Sequence, residues 1–176
     1  MNDLLLLSMM LGGPKYGYQL KREAGWVMGQ AMHNNLVYPS LRRFLEEGWV
    51  SKKAVPGERG QTRQQYALSA EGRRHLFERL SQFGDADAAS EEAFHLRVGL
   101  FTMLKPEVRE KIVGRREAWL QARDQRLAAL QANMELGRFG AEIVRYMRKQ
   151  VEMELEWTRH LRRIAKTIQN EDRRSP

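Results

Sequence analysis

Cysteine is absent from the 176 residues of this chain. Its absence excludes disulfide bonds, thiolate metal ligands and a cysteine nucleophile, and it fits a reducing compartment, so we expect a cytoplasmic protein. Long apolar runs are also missing, since the longest, LLLLSMML at residues 4–11, is too short to span a bilayer. No basic segment precedes this run, and Gly12, Gly13 and Pro14 follow it, which favours a core helix over a signal peptide.

Sequence patterns typical of catalysis are missing as well. The four histidines show no metal-binding spacing: His33, His75, His95 and His160. No nucleophile elbow and no glycine-rich phosphate loop after a strand occurs. We therefore expect neither an enzyme nor a bound cofactor or metal.

Positive charge, in contrast, is in excess. The chain has 30 basic and 22 acidic side chains, a net charge of +8, and its 42% hydrophobic content is enough for a buried core. Residues 1–80 carry 12 basic and 7 acidic side chains, a net charge of +5, and the other 96 residues carry 18 and 15, a net charge of +3. The excess therefore leans toward the N-terminal part, and it favours a polyanionic partner.

The segment SQFGDADAAS at residues 81–90 is small, polar and acidic, and it separates two strongly periodic regions. We therefore predict a linker at 81–90 between an N-terminal domain at 1–80 and a helical domain at 91–176.

The N-terminal region alternates helical and strand patterns. Apolar spacing predicts helices at about 2–11, 15–28 and 34–47, then two short strands, WVSKKAV and TRQQYAL, around PGERGQ. A fourth helix follows, with Ser69 as N-cap and Glu71 in its first turn. Three helices, a β-hairpin and a fourth helix make a mainly α winged helix-turn-helix, whose third helix enters the major groove of DNA.

The third helix, within NNLVYPSLRRFLEEGWV, shows two different sides. Its apolar positions predict a buried side: Val37, Leu41, Phe44 and Leu45. The opposite side and its margins carry polar and basic residues: Asn35, Tyr38, Ser40, Arg42 and Arg43. Pro39 frees one backbone carbonyl in the second turn, and a helix whose front end lies against DNA tolerates this.

We expect DNA contacts from this side, from the second helix and from the wing: Tyr18, Lys21, Asn34, Asn35, Tyr38, Ser40, Arg42, Arg43, Lys52, Lys53, Arg59 and Arg63. Each has an alternative role. The two asparagines are also favourable N-caps, and the two tyrosines either offer a hydroxyl to a phosphate or pack in the core. Arg42 and Arg43 could instead pair with Glu46 and Glu47, and the wing cations could simply be solvated.

Three segments resemble the PadR family of winged-helix transcriptional regulators: GPKYGYQLKRE, NNLVYPSLRRFLEEGWV and RQQYALSAEGRR. The matching positions are Gly13, Pro14, Gly17, Tyr18, Leu20, Tyr38, Pro39, Leu41, Arg43, Glu47, Gly48, Val50, Tyr66, Leu68, Ser69 and Gly72. The resemblance implies a dimeric transcription factor, commonly a repressor, that binds an inverted repeat of double-stranded DNA. In many members a small aromatic or hydrophobic compound releases the protein from DNA.

The sequence departs from the family pattern at three positions. Leu36 stands where Thr or Ser is frequent, and Gln64 and Gln65 stand where basic residues are frequent. Sequence specificity therefore does not transfer from relatives. The alternative to a DNA-binding regulator is a winged-helix module that binds a protein through the same surface, although the polar, basic character of that surface counts against it.

The C-terminal region is predicted to be helical. Ser90 caps a helix with Phe94, Val98 and Phe101 on one side, and Pro106 begins a long helix. A final helix follows GRFG and runs to about Ile168. KPEVREKIVGRREAWLQ and ELEWTRHLRRI are similar to the helical C-terminal domain of some PadR-like regulators. The long helix carries a heptad-like apolar seam, and the final helix carries an apolar stripe. Together they predict homodimerisation through Val113, Leu120, Leu127, Met134, Leu161 and Ile164.

Glu154 lies near the centre of an apolar side of the final helix, beside Gln150 and Thr158. A carboxylate there needs a partner. The partner is either an arginine or histidine, such as His95 or Arg97 across the dimer, or else Glu154 is the polar anchor of an effector pocket. Candidate effector-binding residues are Trp26, Phe94, His95, Trp119, Gln150, Glu154 and Trp157, whose aromatic members have ordinary core packing as the alternative.

Overall fold

A computed structural model describes residues 2–28, 34–56, 61–133 and 135–172. The chain divides into two compact units, Met1–Gln82 and Phe83–Pro176. The described residues are mainly helical with one small antiparallel sheet, so the predicted fold class is confirmed.

The N-terminal unit contains four helices and three strands. In chain order they are α1 (Asn2–Met9), β1 (Lys15–Tyr16), α2 (Gly17–Met28), α3 (Asn34–Glu46), β2 (Val50–Pro56), β3 (Thr62–Leu68) and α4 (Ala70–Ser81). The sequence predicted all of them except β1, which is only two residues long and pairs with a strand some 50 positions later.

The sheet has the order β1-β3-β2, and both pairings are antiparallel. Lys52 lies opposite Tyr66, and Lys53 lies opposite Gln65. Because successive side chains of a strand point to opposite faces, Lys52 and Lys53 lie on different faces of the hairpin.

The core of this unit joins the helices to the base of the hairpin. Its fully buried side chains include Leu6, Leu7, Met10, Leu20, Val37, Leu41, Phe44, Leu76 and Leu80. Among the predicted core residues of α3, Leu45 is half-buried. The other three lie inside, as the helical spacing of their apolar side chains requires.

The turn from the hairpin into α4 is tightly packed. Ser69 is the N-cap, as predicted, and its Oγ accepts a hydrogen bond of 2.9 Å from the Gly72 backbone nitrogen. A Cβ at Gly72 would lie 1.9 Å from the carbonyl oxygen of Trp49. Glycine is therefore required where α4 crosses the start of β2.

The C-terminal unit contains α5 (Asp85–Ala89), α6 (Glu91–Val98), a 3-10 turn (Phe101–Met103), α7 (Pro106–Asn133) and α8 (Arg138–Asp172). Ser90 caps α6 through a 3.1 Å hydrogen bond from the Ala93 nitrogen, and Pro106 is the first residue of α7, both as predicted. Residues 99–100 break the helix before Phe101, so Phe101 does not continue the stripe predicted for α6.

α7 and α8 form an antiparallel hairpin. Three sets of ion pairs join them in reverse order along the chain: Asp124 with Arg148, Arg116 with Glu154, and Glu110 and Glu117 with Arg162. Each helix thus buries one apolar side against the other within one chain.

This packing corrects the predicted dimer seam. Val113 and Leu120 are each 1% exposed in the single chain, so they are core residues of the hairpin. Leu127 and Leu161 are half-buried, and Met134 lies outside the described residues. Only Ile164 of the predicted set is clearly exposed among the described residues.

The segment predicted as a linker is also different from expectation, because residues 85–89 form α5. The Gly84 nitrogen donates a hydrogen bond of 3.1 Å to Asp87 Oδ2, and Ala88 is buried. Small residues here serve close packing of α5 against α7. None of the helices, as far as the structure describes them, has the length and apolarity needed to cross a membrane.

Candidate nucleic-acid interface and helical cleft

The exposed side of α3 carries a mixture of aromatic, apolar and basic side chains. Leu36, Tyr38 and Arg42 are all exposed, and so is Pro39 in the interior of the helix. Proline has no N–H to donate to the carbonyl of residue 35, which leaves that carbonyl available to solvent or a ligand. We name the exposed set Leu36, Tyr38, Pro39 and Arg42 the α3 outer side.

Two neighbouring arginines of α3 have different surroundings. Arg43 Nη2 donates a 2.5 Å hydrogen bond to Asp3 Oδ2 on α1. Ser40 Oγ lies 3.5 Å from the other oxygen of the same carboxylate. Arg42 has no ion pair with any side chain that the structure describes. The alternative in which both arginines pair with Glu46 and Glu47 is therefore not found; Arg43 pairs with Asp3 on α1 instead.

Four tyrosines converge beside α3 and line one cleft. The cleft of about 700 Å³ is lined by Tyr16, Gly17, Tyr18, Tyr38, Arg63, Gln64 and Tyr66, and we name it the tyrosine cleft. The rings of Tyr16 and Tyr18 stack with centroids 5.7 Å apart. A Cβ at Gly17 would lie 2.9 Å from Tyr38 Cε1, so glycine allows the Tyr38 ring to approach the backbone.

Burial raises the pKa of Tyr66, and the neighbouring Tyr38 raises it further. Tyr66 therefore stays protonated at physiological pH, and its hydroxyl can donate a hydrogen bond to an anion. The sequence prediction named Tyr18 and Tyr38 but not Tyr16 and Tyr66. The alternating pattern of β3 indicates that Tyr66 lies on one face of the sheet. Nothing in the sequence indicated β1, the two-residue strand that carries Tyr16.

The wing presents fewer grouped cations than the sequence suggested. Lys52 and Lys53 are exposed on opposite faces, and Lys53 shares its face with the half-buried Arg63. Arg59 lies outside the described residues. At most two of these described wing cations can therefore face one surface.

The remaining predicted DNA contacts are placed as follows. Lys21 is half-buried on α2. Asn34 and Asn35 begin α3, but their side chains lie outside what the structure describes, so capping and base contact both stay predictions.

The C-terminal unit contains a separate cleft of about 510 Å³, which we name the helical cleft. Five of the seven predicted effector-binding residues line it: His95, Trp119, Gln150, Glu154 and Trp157. Phe94 is fully buried and packs edge-on against Trp157 at 5.7 Å, so it supports the wall from behind. Trp26 belongs to the N-terminal unit, where it is 70% exposed with Arg22 over its ring, and it does not line the helical cleft.

Arg116 is the buried cation beside this cleft. Its Nε and Nη2 donate hydrogen bonds of 2.6 and 2.8 Å to Glu154, and Nη1 donates one of 2.6 Å to the carbonyl of Ala88. Its guanidinium also lies over the rings of Phe94 and Trp119. Glu154 is thus paired with an arginine, the kind of partner expected, but that arginine is Arg116 of the same chain and not His95 or Arg97 across a dimer.

His95 and Arg97 have other roles. The His95 ring lies edge-on to Trp157 at 5.2 Å, where both line the helical cleft. Arg97 is buried, donates to the carbonyl of Ala93 and pairs with Asp87 at 3.3 Å. Within the described parts of the chain, no group of three or more histidine, aspartate and glutamate side chains is placed to hold a metal ion.

One side of α8 leaves large apolar side chains exposed: Phe139, Ile143, Tyr146, Met153 and Ile164. They are separated by four, three, seven and eleven residues, each close to a whole number of helical turns, so they follow one stripe, which we name the α8 apolar side. A contiguous exposed apolar stripe is typical of an interaction surface.

The N-terminal unit is a winged helix-turn-helix: three helices, a hairpin wing and a closing helix, with an exposed and partly basic third helix. Residues 6–78 match the model of the family described as "Transcriptional regulator PadR-like family". This match covers most of the N-terminal unit, so that unit is similar to the DNA-binding domains of PadR-like transcriptional regulators. No significant match is found among curated proteins.

Three solved structures illustrate the similarity. Bacillus subtilis PadR in complex with operator DNA is 14% identical over 93% of this chain and 98% of that one, with a TM-score of 0.46. A PadR family transcriptional regulator from Eggerthella lenta is 30% identical over 43% and 65%, with a TM-score of 0.39. A transcriptional regulator from Clostridium thermocellum is 20% identical over 44% and 76%, with a TM-score of 0.40.

Proposed function

We propose that the chain is a dimeric, sequence-specific regulator that binds double-stranded DNA and represses transcription until a small aromatic or hydrophobic effector releases it. The observation that carries the DNA-binding part is the α3 outer side next to the tyrosine cleft. There Arg42, which has no ion pair among the described side chains, and the exposed tyrosines Tyr18 and Tyr38 lie on one winged helix-turn-helix.

The groups of this surface divide into two kinds of contact. Arg42 has the forked donor geometry that recognises guanine, and Leu36 can contact a thymine methyl. The tyrosine hydroxyls and Lys53 suit backbone phosphates, which fix the position of the protein but carry no sequence information. We therefore assign sequence reading to α3 and positioning to the tyrosine cleft and the wing.

The proposed dimer forms through the α8 apolar side. A second copy covers exposed aromatic and aliphatic side chains there, in place of the seam predicted on α7. Two copies would present two α3 helices to an inverted repeat, with half-sites about one helical turn (roughly 10 bp) apart or more.

The helical cleft is the proposed effector site. Its walls include the rings of Trp119 and Trp157, and Gln150 offers polar atoms. Aromatic walls with a few polar groups are typical of sites for small planar molecules. We propose repression and not activation because the resemblance to PadR-like regulators implies it. The absence of cysteine favours a cytoplasmic location.

The test is selection of tight-binding duplexes from a randomised pool by the purified full-length chain at two salt concentrations. A two-fold symmetric motif would support recognition by a dimer. Weak binding without enrichment that disappears at moderate salt would contradict the proposal and favour a protein partner for the same surface.

Once a motif is available, aromatic compounds can be tested for release of the protein from that duplex. Binding in the helical cleft should quench the fluorescence of Trp119 and Trp157. Quenching is measured in the Trp26→Phe variant, because this substitution removes the fluorescence of an exposed tryptophan of the other unit. Quenching that survives in a Trp119→Phe/Trp157→Phe variant would contradict the placement of the effector.

A further inference from the structure

Asp3 lies in the first turn of α1 and contacts the DNA-facing helix. Its Oδ2 accepts the 2.5 Å hydrogen bond from Arg43, and its Oδ1 lies 3.5 Å from Ser40 Oγ. The two charged side chains are 41% and 51% exposed, so the pair lies at the protein surface. A carboxylate is favourable in the first turn of a helix, which holds Asp3 in place independently of Arg43.

Arg42 and Arg43 are adjacent, but a helix turns about 100° per residue, so they lie on different sides of α3. Arg42 has no ion-pair partner among the described side chains, whereas Arg43 is directed toward α1. One arginine is therefore available to DNA and its neighbour is neutralised within the protein.

We propose that Asp3 is a specificity-determining residue that withholds Arg43 from the DNA backbone. This inference depends on the proposed DNA-binding function and adds a role for a residue outside the recognition helix. Asp3 removes one cation from the surface that meets phosphates and leaves base reading to Arg42.

The physical reason lies in the two components of DNA affinity. Phosphate contacts release counterions and strengthen binding to every sequence, whereas base contacts strengthen binding to one. A carboxylate that pairs with a surface arginine weakens the first component only. The ratio of specific to nonspecific affinity therefore rises.

The experiment uses the full-length chain and four variants: Asp3→Asn, Arg43→Gln, the double variant and Glu78→Gln. Glu78 is exposed on α4, so Glu78→Gln removes the same charge away from α3. Binding to a nonspecific duplex and to the selected duplex is measured by fluorescence anisotropy over a range of salt concentrations. Asp3→Ser is a second variant for use if Asp3→Asn lowers the melting temperature.

The Asp3→Asn variant should bind the nonspecific duplex about threefold or more tightly at low salt, with a salt slope steeper by about 0.9, the value for one added phosphate contact. The double variant should return to the wild-type slope. Arg43→Gln alone should leave that slope unchanged, and Glu78→Gln should not steepen it. The ratio of selected to nonspecific affinity should fall in Asp3→Asn.

Two results would overturn the inference while leaving the proposed function intact. One is a shallower slope for Arg43→Gln, which would show that Arg43 already contacts DNA in the wild-type protein. The other is an Asp3→Asn variant that behaves like Glu78→Gln. A wild-type chain that binds no duplex at any salt concentration would instead overturn the proposed function, and the role of Asp3 with it.

Discussion

Glu154 and Arg116 join α8 to α7 through two hydrogen bonds of 2.6 and 2.8 Å. The Arg116 side chain is 3% exposed and that of Glu154 is 17% exposed, so the pair is largely removed from water. Removal of one partner leaves a buried charge without compensation, which costs much more than loss of a surface pair. The pair is therefore a structural element of the C-terminal unit.

The variant Glu154→Ala should lower the free energy of unfolding of the C-terminal unit by about 3 kcal/mol, measured by urea denaturation. Glu142→Ala is the control on the same helix, because it breaks the exposed pair with Arg145 and should change stability by less than about 0.5 kcal/mol. Equal effects of the two variants would show that Arg116 finds another partner or is not buried in solution.

The variant Gly72→Ala should destabilise the N-terminal unit by about 1–3 kcal/mol or more, because its Cβ meets backbone that cannot move aside easily. Gly12→Ala is the control, since a Cβ there has no neighbour within 4 Å. Thermal unfolding of the two variants makes the comparison. A Gly72→Ala variant as stable as Gly12→Ala would mean that α4 and the start of β2 lie further apart than described.

The variant Arg42→Ala should alter sequence preference, with a loss of about 1–3 kcal/mol on the selected duplex if the contact is bidentate to one base pair. Lys53→Ala should weaken binding to all duplexes alike, because it removes a phosphate contact. Competition binding with matched and single-substituted duplexes separates these effects. A uniform loss for Arg42→Ala would remove its base-reading role.

The variant Ile143→Lys should dissociate the proposed dimer, because it places a charge in the middle of the α8 apolar side. Light scattering should then give the mass of one 20.6 kDa chain, and circular dichroism should show unchanged helix content. Glu156→Lys, on the polar side of α8, should leave the dimer intact. If Ile143→Lys stays dimeric, another surface holds the two copies together.

Glu92 gives a pH-dependent prediction. Backbone and Ser90 hydrogen bonds in the first turn of α6 lower the pKa of Glu92 below its ordinary value of 4.5. A lowered folded-state pKa contributes stability above the unfolded pKa and loses it as pH falls through the folded value. Glu92→Gln should therefore be less stable than wild type at pH 7, by less than about 1 kcal/mol, with the difference disappearing in acid.

The comparison for Glu92 uses urea midpoints at pH 7 and at successive steps below pH 5. Glu156→Gln is the control, because it removes the same charge from an exposed position of α8, where no hydrogen bond of the carboxylate is found among the described residues. A gap between wild type and Glu92→Gln that stays constant down to the lowest pH would contradict the assigned cause.

Local patterns in the sequence were sufficient for most of the secondary structure. Helical spacing located α1 to α4, and the N-caps Ser69 and Ser90 and the first-turn Pro106 marked three helix starts. These signals are local, because a cap or a proline acts on backbone groups within one helical turn. The winged helix-turn-helix followed from the order of these elements.

The ion-pair partners of charged side chains could not be predicted from local patterns in the sequence. Arg116 lies between Val113 and Leu120 on the inner side of α7, and a basic residue within an apolar stripe could have signalled a buried ion pair. Its pairing with Glu154, 38 positions away, depends on the register of the hairpin. Sequence spacing on one helix does not give that register.

The sequence by itself determined a mainly helical chain with a basic winged helix-turn-helix, because hydrophobic periodicity, caps and turn residues act over a few positions. Only the tertiary structure decided which apolar stripe is exposed, which arginine of α3 is paired, and which tyrosines share a cleft. Those outcomes depend on contacts between segments distant in the chain, where packing selects one of several arrangements that local patterns allow equally.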